Sequence, residues 1–204
     1  MILEYHNLKI KLTRDVYQPS EDSYLLAENL EVNENDIVLE IGTGTGIVSL
    51  VAGLIAEKVI ALDISPKAVE LARYNVILNE LEDIIEVRHG HLFEPLEENE
   101  RFNLIIFNPP YLPVEESGKL SGEAEWLERA WNGGKSGREL IDPFIEQCTK
   151  YLMPRGRLQM IQSSLSDIRR TCDRLHTEGF QVKIKAEVPA FFERIVLIEA
   201  WIED

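Results

Sequence analysis

The sequence predicts an α/β fold built on a doubly wound, mostly parallel sheet. Three observations carry that prediction. Short apolar runs alternate with helix-like stretches from residue 37 to residue 176, and strand–helix alternation is the pattern of a parallel sheet covered on both faces. A glycine turn, Gly42-Thr43-Gly44-Thr45-Gly46, separates the first of these strands from the first of these helices. The chain closes on two strand-like stretches, 181–188 and 195–201, with no helix between them, which predicts an antiparallel last strand. Seven strands are expected, with helices on both faces.

Residues 1–15 read as a short lead-in, in which Leu8, Ile10 and Leu12 alternate as in a brief strand. Pro19 blocks a helix before it, Ser20 can cap one after it, and Glu21 and Asp22 suit the first turn of a helix reaching about Leu30. Residues 37–41 form the first strand of the sheet and 47–56 a helix. Residues 59–63 form the second strand, closed by Asp63; Ser65 and Pro66 then start a helix with a cap and a first-turn proline. Its apolar positions are Val69, Leu71, Ala72, Val76 and Leu78. Residues 84–87 and 102–107 are the third and fourth strands. Residues 111–135 are polar and irregular, with Pro113, Gly118, Gly122, Gly133 and Gly134; a loop of that length inside a domain is usually functional or mobile. Ser136 and Glu139 have capping-box spacing and predict a helix over 137–151, stopped by Pro154. Residues 158–161 are the fifth strand, and 167–176 a helix ended by Gly179. No internal repeat, low-complexity tract or linker divides the chain, so residues 1–204 are read as one domain.

Composition narrows the function classes. A chain of 204 residues can bury a sizeable core. No apolar run approaches the ~18 residues of a membrane span, and the first eleven residues lack a signal-peptide layout, which predicts a cytoplasmic protein. Cys148 and Cys172 have the spacing of neither a disulfide framework nor a zinc site; no metal is expected. Lys and Arg number 21 against 36 Asp and Glu, a net charge of −15. Proteins that hold a nucleic-acid backbone neutralise phosphates with a basic face, so nucleic acid is disfavoured as the main substrate unless a partner supplies that face.

Ligands of such sheets bind at the carboxyl ends of the strands, where strand order reverses. Three motifs lie at successive strand ends. The first runs from Glu40 through Gly42 and Gly44 to Gly46. Ile47 stands where the dinucleotide pattern would place its last glycine, and no P-loop lysine follows; alone, the turn could be structural. The second is Asp63, whose carboxylate can take two ribose hydroxyls or simply cap the next helix. Together the two features describe a nucleoside site. The third is Asn108-Pro109-Pro110-Tyr111. Two prolines forbid further sheet pairing and stiffen the backbone, and having no N–H they present only acceptors.

This combination resembles the Rossmann-like, class I S-adenosylmethionine-dependent methyltransferases. The Asn-Pro-Pro-Tyr stretch is similar to the signature of enzymes that methylate planar nitrogens: adenine or guanine amines, or a glutamine amide. Residues 16–23, Val-Tyr-Gln-Pro-Ser-Glu-Asp-Ser, and 131–139, Trp-Asn-Gly-Gly-Lys-Ser-Gly-Arg-Glu, resemble stretches of the HemK-type protein glutamine N5-methyltransferases, in their archaeal and eukaryotic branch. The resemblance implies that S-adenosyl-L-methionine is the cofactor and that the substrate is the Gly-Gly-Gln loop of a class I peptide-chain release factor. It implies a small zinc-binding activator as a possible heterodimer partner, for which the strand at 84–88 offers a sheet edge. It implies cofactor contacts at Ser23, Glu40, Gly42, Gly44, Asp63, Ile64, His91, Leu92 and Asn108. His91 stands where the family usually has an acid that contacts the adenine amine; a neutral imidazole nitrogen can accept the same bond, and an exposed loop histidine is the plainer reading.

The catalytic residues expected are Asn108, Pro109, Pro110 and Tyr111. An amide nitrogen is a poor nucleophile, because its lone pair is shared with the carbonyl. The site must accept its two N–H hydrogens and present its π face. The Asn108 side-chain oxygen and the Pro109 carbonyl are read as the acceptors and Tyr111 as the packing surface. Methylation of adenine or guanine in nucleic acid is the alternative that the motif leaves open. Lysine methylation is a further one, although a cationic amine has no need of two fixed acceptors.

Overall fold

A hairpin of two short antiparallel strands, β1 (Ile2–Tyr5) and β2 (Leu8–Lys11), opens the chain; in all, the computed structural model describes residues 1–114, 123–190 and 192–203. Then follow α1 (Glu21–Glu28), β3 (Ile37–Ile41), α2 (Ile47–Gly53), β4 (Lys58–Asp63), α3 (Pro66–Leu78), β5 (Ile85–His89) and β6 (Phe102–Phe107). The second half holds α4 (Glu123–Arg129), α5 (Ile141–Cys148), β7 (Leu152–Ser163), α6 (Ile168–Thr177), β8 (Phe180–Ala190) and β9 (Glu193–Ile202). Strands β3 to β9 form the predicted seven-stranded sheet, in the order β5-β4-β3-β6-β7-β9-β8. The pairs among β5, β4, β3, β6 and β7 are parallel, and β9 runs antiparallel to both β7 and β8.

Strand order reverses between β3 and β6. β4 lies on one side of β3 and β6 on the other. Their carboxyl ends, Glu40-Ile41, Asp63 and Phe107-Asn108, therefore open on one crevice. β3, β4 and β6 read as nearly unbroken apolar runs because both faces are covered. One core cluster of buried hydrophobics joins these strands to the surrounding helices.

The lead-in is more ordered than expected: β1 pairs with β2, and the hairpin stands outside the main sheet. Two asparagines of the α3 region hold it, Asn75 within the helix and Asn79 at its C-cap. Asn79 accepts from Lys9 N at 2.9 Å and donates to Lys9 O at 2.8 Å. Asn75 accepts from Lys11 N at 2.8 Å and donates to Lys11 O at 3.0 Å. Four residues of helix rise about 6 Å and two residues of strand about 6.6 Å, so one helix face stands in for a neighbouring strand. Asn75 also donates to Thr45 O at 2.8 Å, which ties the hairpin to the glycine turn. Asn75→Ala is expected to destabilise the fold by about 2–4 kcal/mol, since loss of a fully buried side chain would leave several backbone groups unpaired; urea denaturation measures it, and a change within error would show that the asparagine ladder contributes nothing.

Three further boundaries differ from the sequence reading. The helix predicted over 137–151 begins only at Ile141 and ends in a 3-10 turn over Thr149–Tyr151. Gly137 has φ 69, and a Cβ there would lie 2.3 Å from the Tyr111 carbonyl oxygen; the left-handed turn breaks the capping box that Ser136 and Glu139 suggest. Pro154 does not stop a helix before the fifth strand. It sits within β7, in the register shift between Phe102↔Leu152 and Leu104↔Arg157, where a missing N–H costs the ladder nothing. Part of the irregular stretch over 111–135 is helical, as α4, and Leu112 bridges Asn132; Gly118 and Gly122 lie outside the described residues. Among the described residues no helix is long and apolar enough to cross a membrane.

Candidate active site

The turn after β3 places three glycines in the left-handed region, at φ 72, 57 and 85 for Gly42, Gly44 and Gly46. Gly44 shows why. A Cβ there would meet no atom within 4 Å, so the turn presents bare backbone to open space. Beneath it lies Glu40, 3% exposed, whose Oε2 accepts from Thr43 Oγ1 at 2.7 Å and from Ser49 Oγ. Burial pushes the Glu40 carboxyl up to about 7, against the pull of the Ser49 and Thr43 bonds. Asp63 closes β4 alongside. Its Oδ2 accepts from Gly44 N and its Oδ1 from Ser65 N, both at 2.8 Å. Burial raises its pKa too, and the two backbone N–H groups oppose the rise. Each carboxylate oxygen retains a lone pair for a further donor.

The sign of the Glu40 effect gives a test. A carboxyl whose folded pKa exceeds the unfolded value favours the folded state when protonated. Its contribution is therefore lost as pH rises from about 4.5 to about 7. The shift corresponds to about 3 kcal/mol. In the chain without cofactor, Glu40→Gln should gain stability on the parent across that window and keep a constant advantage above it. Urea denaturation between pH 4.5 and 8 measures the difference. A pH-independent difference would assign Glu40 an ordinary pKa.

At the end of β6 the Asn108 amide stands against α1. Asn108 Nδ2 donates to Asp22 Oδ2 at 3.1 Å, and the Tyr111 hydroxyl donates to the same oxygen at 3.3 Å. Asp22 Oδ1 accepts from Ser23 N at 2.6 Å and Ser23 Oγ at 3.0 Å. The Asn108 side-chain oxygen is buried and has no hydrogen-bond partner among the described residues. Burial and the Asp22 charge hold the Tyr111 phenol neutral, well above its ordinary pKa, and the same causes push Tyr17 up to about 12.

One cleft of about 1250 Å³, its open mouth included, collects these groups. Glu40, Gly42, Gly44, Asp63 and Ile64 line it at the ends of β3 and β4, and Ser23 lines it from α1. His91 and Leu92 line it after β5, and Asn108, Pro109, Pro110 and Tyr111 after β6. The residues expected from the sequence to be catalytic or to touch the cofactor thus line one cleft. His91 sits at the rim with its side chain 39% exposed and 3.7 Å from the Glu94 carboxylate. His89 Nε2 lies 2.9 Å from Ile64 O and steadies that loop. The groups fit a sulfonium nucleoside. Open space over Gly44, the adjoining buried carboxylate of Asp63 and the buried Asn108 oxygen, unpartnered among the described residues, carry that fit. Among the described residues no cluster of His, Cys, Asp and Glu could hold a metal ion.

Sequence reasoning misses two parts of the cleft. Trp126 and Arg129 of α4 line its outer side, with the guanidinium 5.0 Å from the indole centroid; no periodicity in the irregular stretch announces them. Asp22 is read in the sequence as a first-turn acid within the 16–23 stretch, with no role of its own. The stretch 131–139 supports Asn-Pro-Pro-Tyr from behind. Leu112 N donates to Trp131 O at 3.1 Å and Gly133 N to Leu112 O at 2.9 Å. A Cβ on Gly133 would lie 2.8 Å from Pro110 O, so glycine is needed for that close approach.

The sequence model of the methyltransferase small domain matches residues 18–122. A Methanocaldococcus jannaschii protein, provisionally named a protein N5-glutamine methyltransferase, is 42% identical over 202 residues, covering 98% of this chain and 99% of its own. A release factor glutamine methyltransferase from Thermodesulfovibrio yellowstonii is 33% identical over 162 residues, 74% of this chain and 57% of the relative. Among solved structures, the E. cuniculi Mtq2–Trm112 complex, responsible for methylation of the eRF1 translation termination factor, superposes with a TM-score of 0.72. It is 23% identical and covers 93% of this chain and 99% of its counterpart, a likeness that speaks for the fold.

Proposed function

The chain belongs to the protein N5-glutamine methyltransferases within the methyltransferase small-domain family, and from that premise we propose that it methylates the glutamine side-chain amide in the Gly-Gly-Gln loop of a class I peptide-chain release factor. The observation that carries this reading is the Asn108 side-chain oxygen, buried in the cleft and unpartnered among the described residues. It is an acceptor held ready for an N–H that the described residues do not supply.

S-adenosyl-L-methionine, when bound, supplies an electrophilic methyl group on a sulfonium. Asp63 would hold its ribose hydroxyls, with Ser23, Glu40, Gly42, Gly44, Ile64, His91, Leu92 and Asn108 around it. Asn108 Oδ1 and the Pro109 carbonyl accept the two N–H hydrogens of the substrate amide. This orients the nitrogen's π face, and Tyr111 packs on the amide plane. As positive charge grows on nitrogen, these fixed dipoles stabilise it more than they stabilise the neutral amide. Rigid placement by the two prolines supplies the remaining acceleration. The surplus proton leaves the nitrogen late, to water. The whole chain, residues 1–204, acts as one catalytic domain, and a release factor meets it in the cytoplasm.

A small zinc-binding activator is the natural partner, and the free edge of β5 is where it would add a strand. Leu54 and Ile55 after α2, and Ile77 on α3, leave apolar surface exposed beside that edge. Co-expression with such a protein should raise both soluble yield and turnover; unchanged yield and turnover would argue for a chain that acts alone.

The functional reading is tested by incubating the enzyme and methyl-labelled cofactor with a release factor or with tRNA and DNA. Label in the release factor alone is expected. Label in nucleic acid and none in protein would overturn it.

A further inference from the structure

Asp22 is 4% exposed and no ion pair reaches it among the described residues. Burying a carboxylate without a cation is costly, and a first-turn acid needs no burial to favour its helix. Its position on α1 turns it inward, onto the end of β6, where it accepts from Ser23 N and Oγ on Oδ1 and from Asn108 Nδ2 and the Tyr111 hydroxyl on Oδ2, with the Tyr17 phenol also beside it. A carboxamide can stand two ways round, with oxygen and NH2 exchanged. In one, the Asn108 NH2 meets Asp22 and its oxygen faces the cleft. In the other, the oxygen would be forced against a carboxylate oxygen, which cannot donate, and the cleft would be offered an NH2. A substrate amide nitrogen needs an acceptor.

We propose that Asp22 is a positioning residue that sets the orientation of the Asn108 amide, so that an oxygen and not an NH2 faces the acceptor nitrogen. The same carboxylate oxygen anchors the Tyr111 hydroxyl, so one side chain fixes both polar groups of the motif. The inference rests on the reading of Asn108 as the acceptor for the substrate N–H.

Asp22→Asn tests it. The carboxamide introduced by that substitution can keep its oxygen on Ser23 only by turning its own NH2 toward Asn108, which must then turn round. Turnover is expected to fall about 10²-fold, with cofactor affinity little changed. Adding Asn108→Asp restores the complement. The carboxamide at position 22 donates, one oxygen of the carboxylate now at position 108 accepts, and the other faces the cleft. The double variant should recover at least about 10-fold of the lost turnover, while Asn108→Asp alone, with two carboxylates face to face, should not. Turnover of Asp22→Asn within a few-fold of the parent would overturn the proposal, and so would a double variant no better than either single one. Because the double variant keeps a carboxylate–carboxamide contact between positions 22 and 108, it stays informative if Asp22→Asn folds poorly. A second readout is independent of the substrate. In ¹⁵N-labelled parent enzyme, the Asn108 side-chain NH2 should be protected from solvent exchange, and that protection should vanish in Asp22→Asn. Rapid exchange in the parent would overturn the positioning role, whereas protection with no methylation of a release factor would fault the functional reading alone.

Discussion

Asn108→Ala is expected to lower kcat by about 10²–10³-fold while leaving the affinity for S-adenosylmethionine near that of the parent. The substitution removes a buried acceptor that the described residues leave unpartnered at the cleft. It also removes the donor that Asp22 holds. The glycine turn, Glu40 and Asp63 keep their own hydrogen bonds, none of which involves Asn108. Cofactor binding should therefore survive, and the loss should fall on the step in which the amide nitrogen is oriented. Steady-state kinetics together with calorimetric titration of the cofactor separate the two. Equal losses of turnover and affinity would reassign Asn108 from catalysis to the structure of the cleft.

Asp63→Ala is expected to do the reverse. In the proposed complex its carboxylate takes the ribose hydroxyls, and it also organises the turn, because Gly44 N and Ser65 N donate to its two oxygens. A hydrogen bond to a charged group contributes about 1.5–3 kcal/mol. Loss of the ribose pair should weaken cofactor affinity by about 10²-fold or more, with turnover at saturating cofactor much closer to the parent. Calorimetry gives the affinity, and kinetics at high cofactor concentration give the turnover. An unchanged affinity would mean that Asp63 is only the cap of α3.

The parts of the site that read clearly in the sequence are those whose chemistry is local. Gly42, Gly44 and Gly46 announce a turn because their backbone angles disfavour other residues. Asp63 and Asn108 announce themselves by closing apolar strands, and the switch point between β3 and β6 then brings them together. The parts that do not read depend on tertiary partners. Asp22 lies in the 16–23 stretch but has no visible role beyond that of a first-turn acid until β6 is placed against α1. Ser136 and Glu139 match a capping box, but the approach of Gly137 to the Tyr111 carbonyl decides otherwise. The N-terminal hairpin depends on Asn75 and Asn79, polar residues on a helix whose apolar pattern says nothing of a docked strand. Trp126 and Arg129 reach the cleft from a short helix with no periodic signal of its own.

In the proposed reaction the clamp at Asn108 orients a glutamine amide. Fragment mass spectrometry of the release factor's Gly-Gly-Gln peptide, after reaction with the enzyme and S-adenosylmethionine, tests this directly. A single added methyl group on the glutamine side chain is predicted, absent with Asn108→Ala and absent when that glutamine is replaced in the substrate. An unmodified glutamine, with the methyl group on a lysine or on nucleic acid instead, would contradict it.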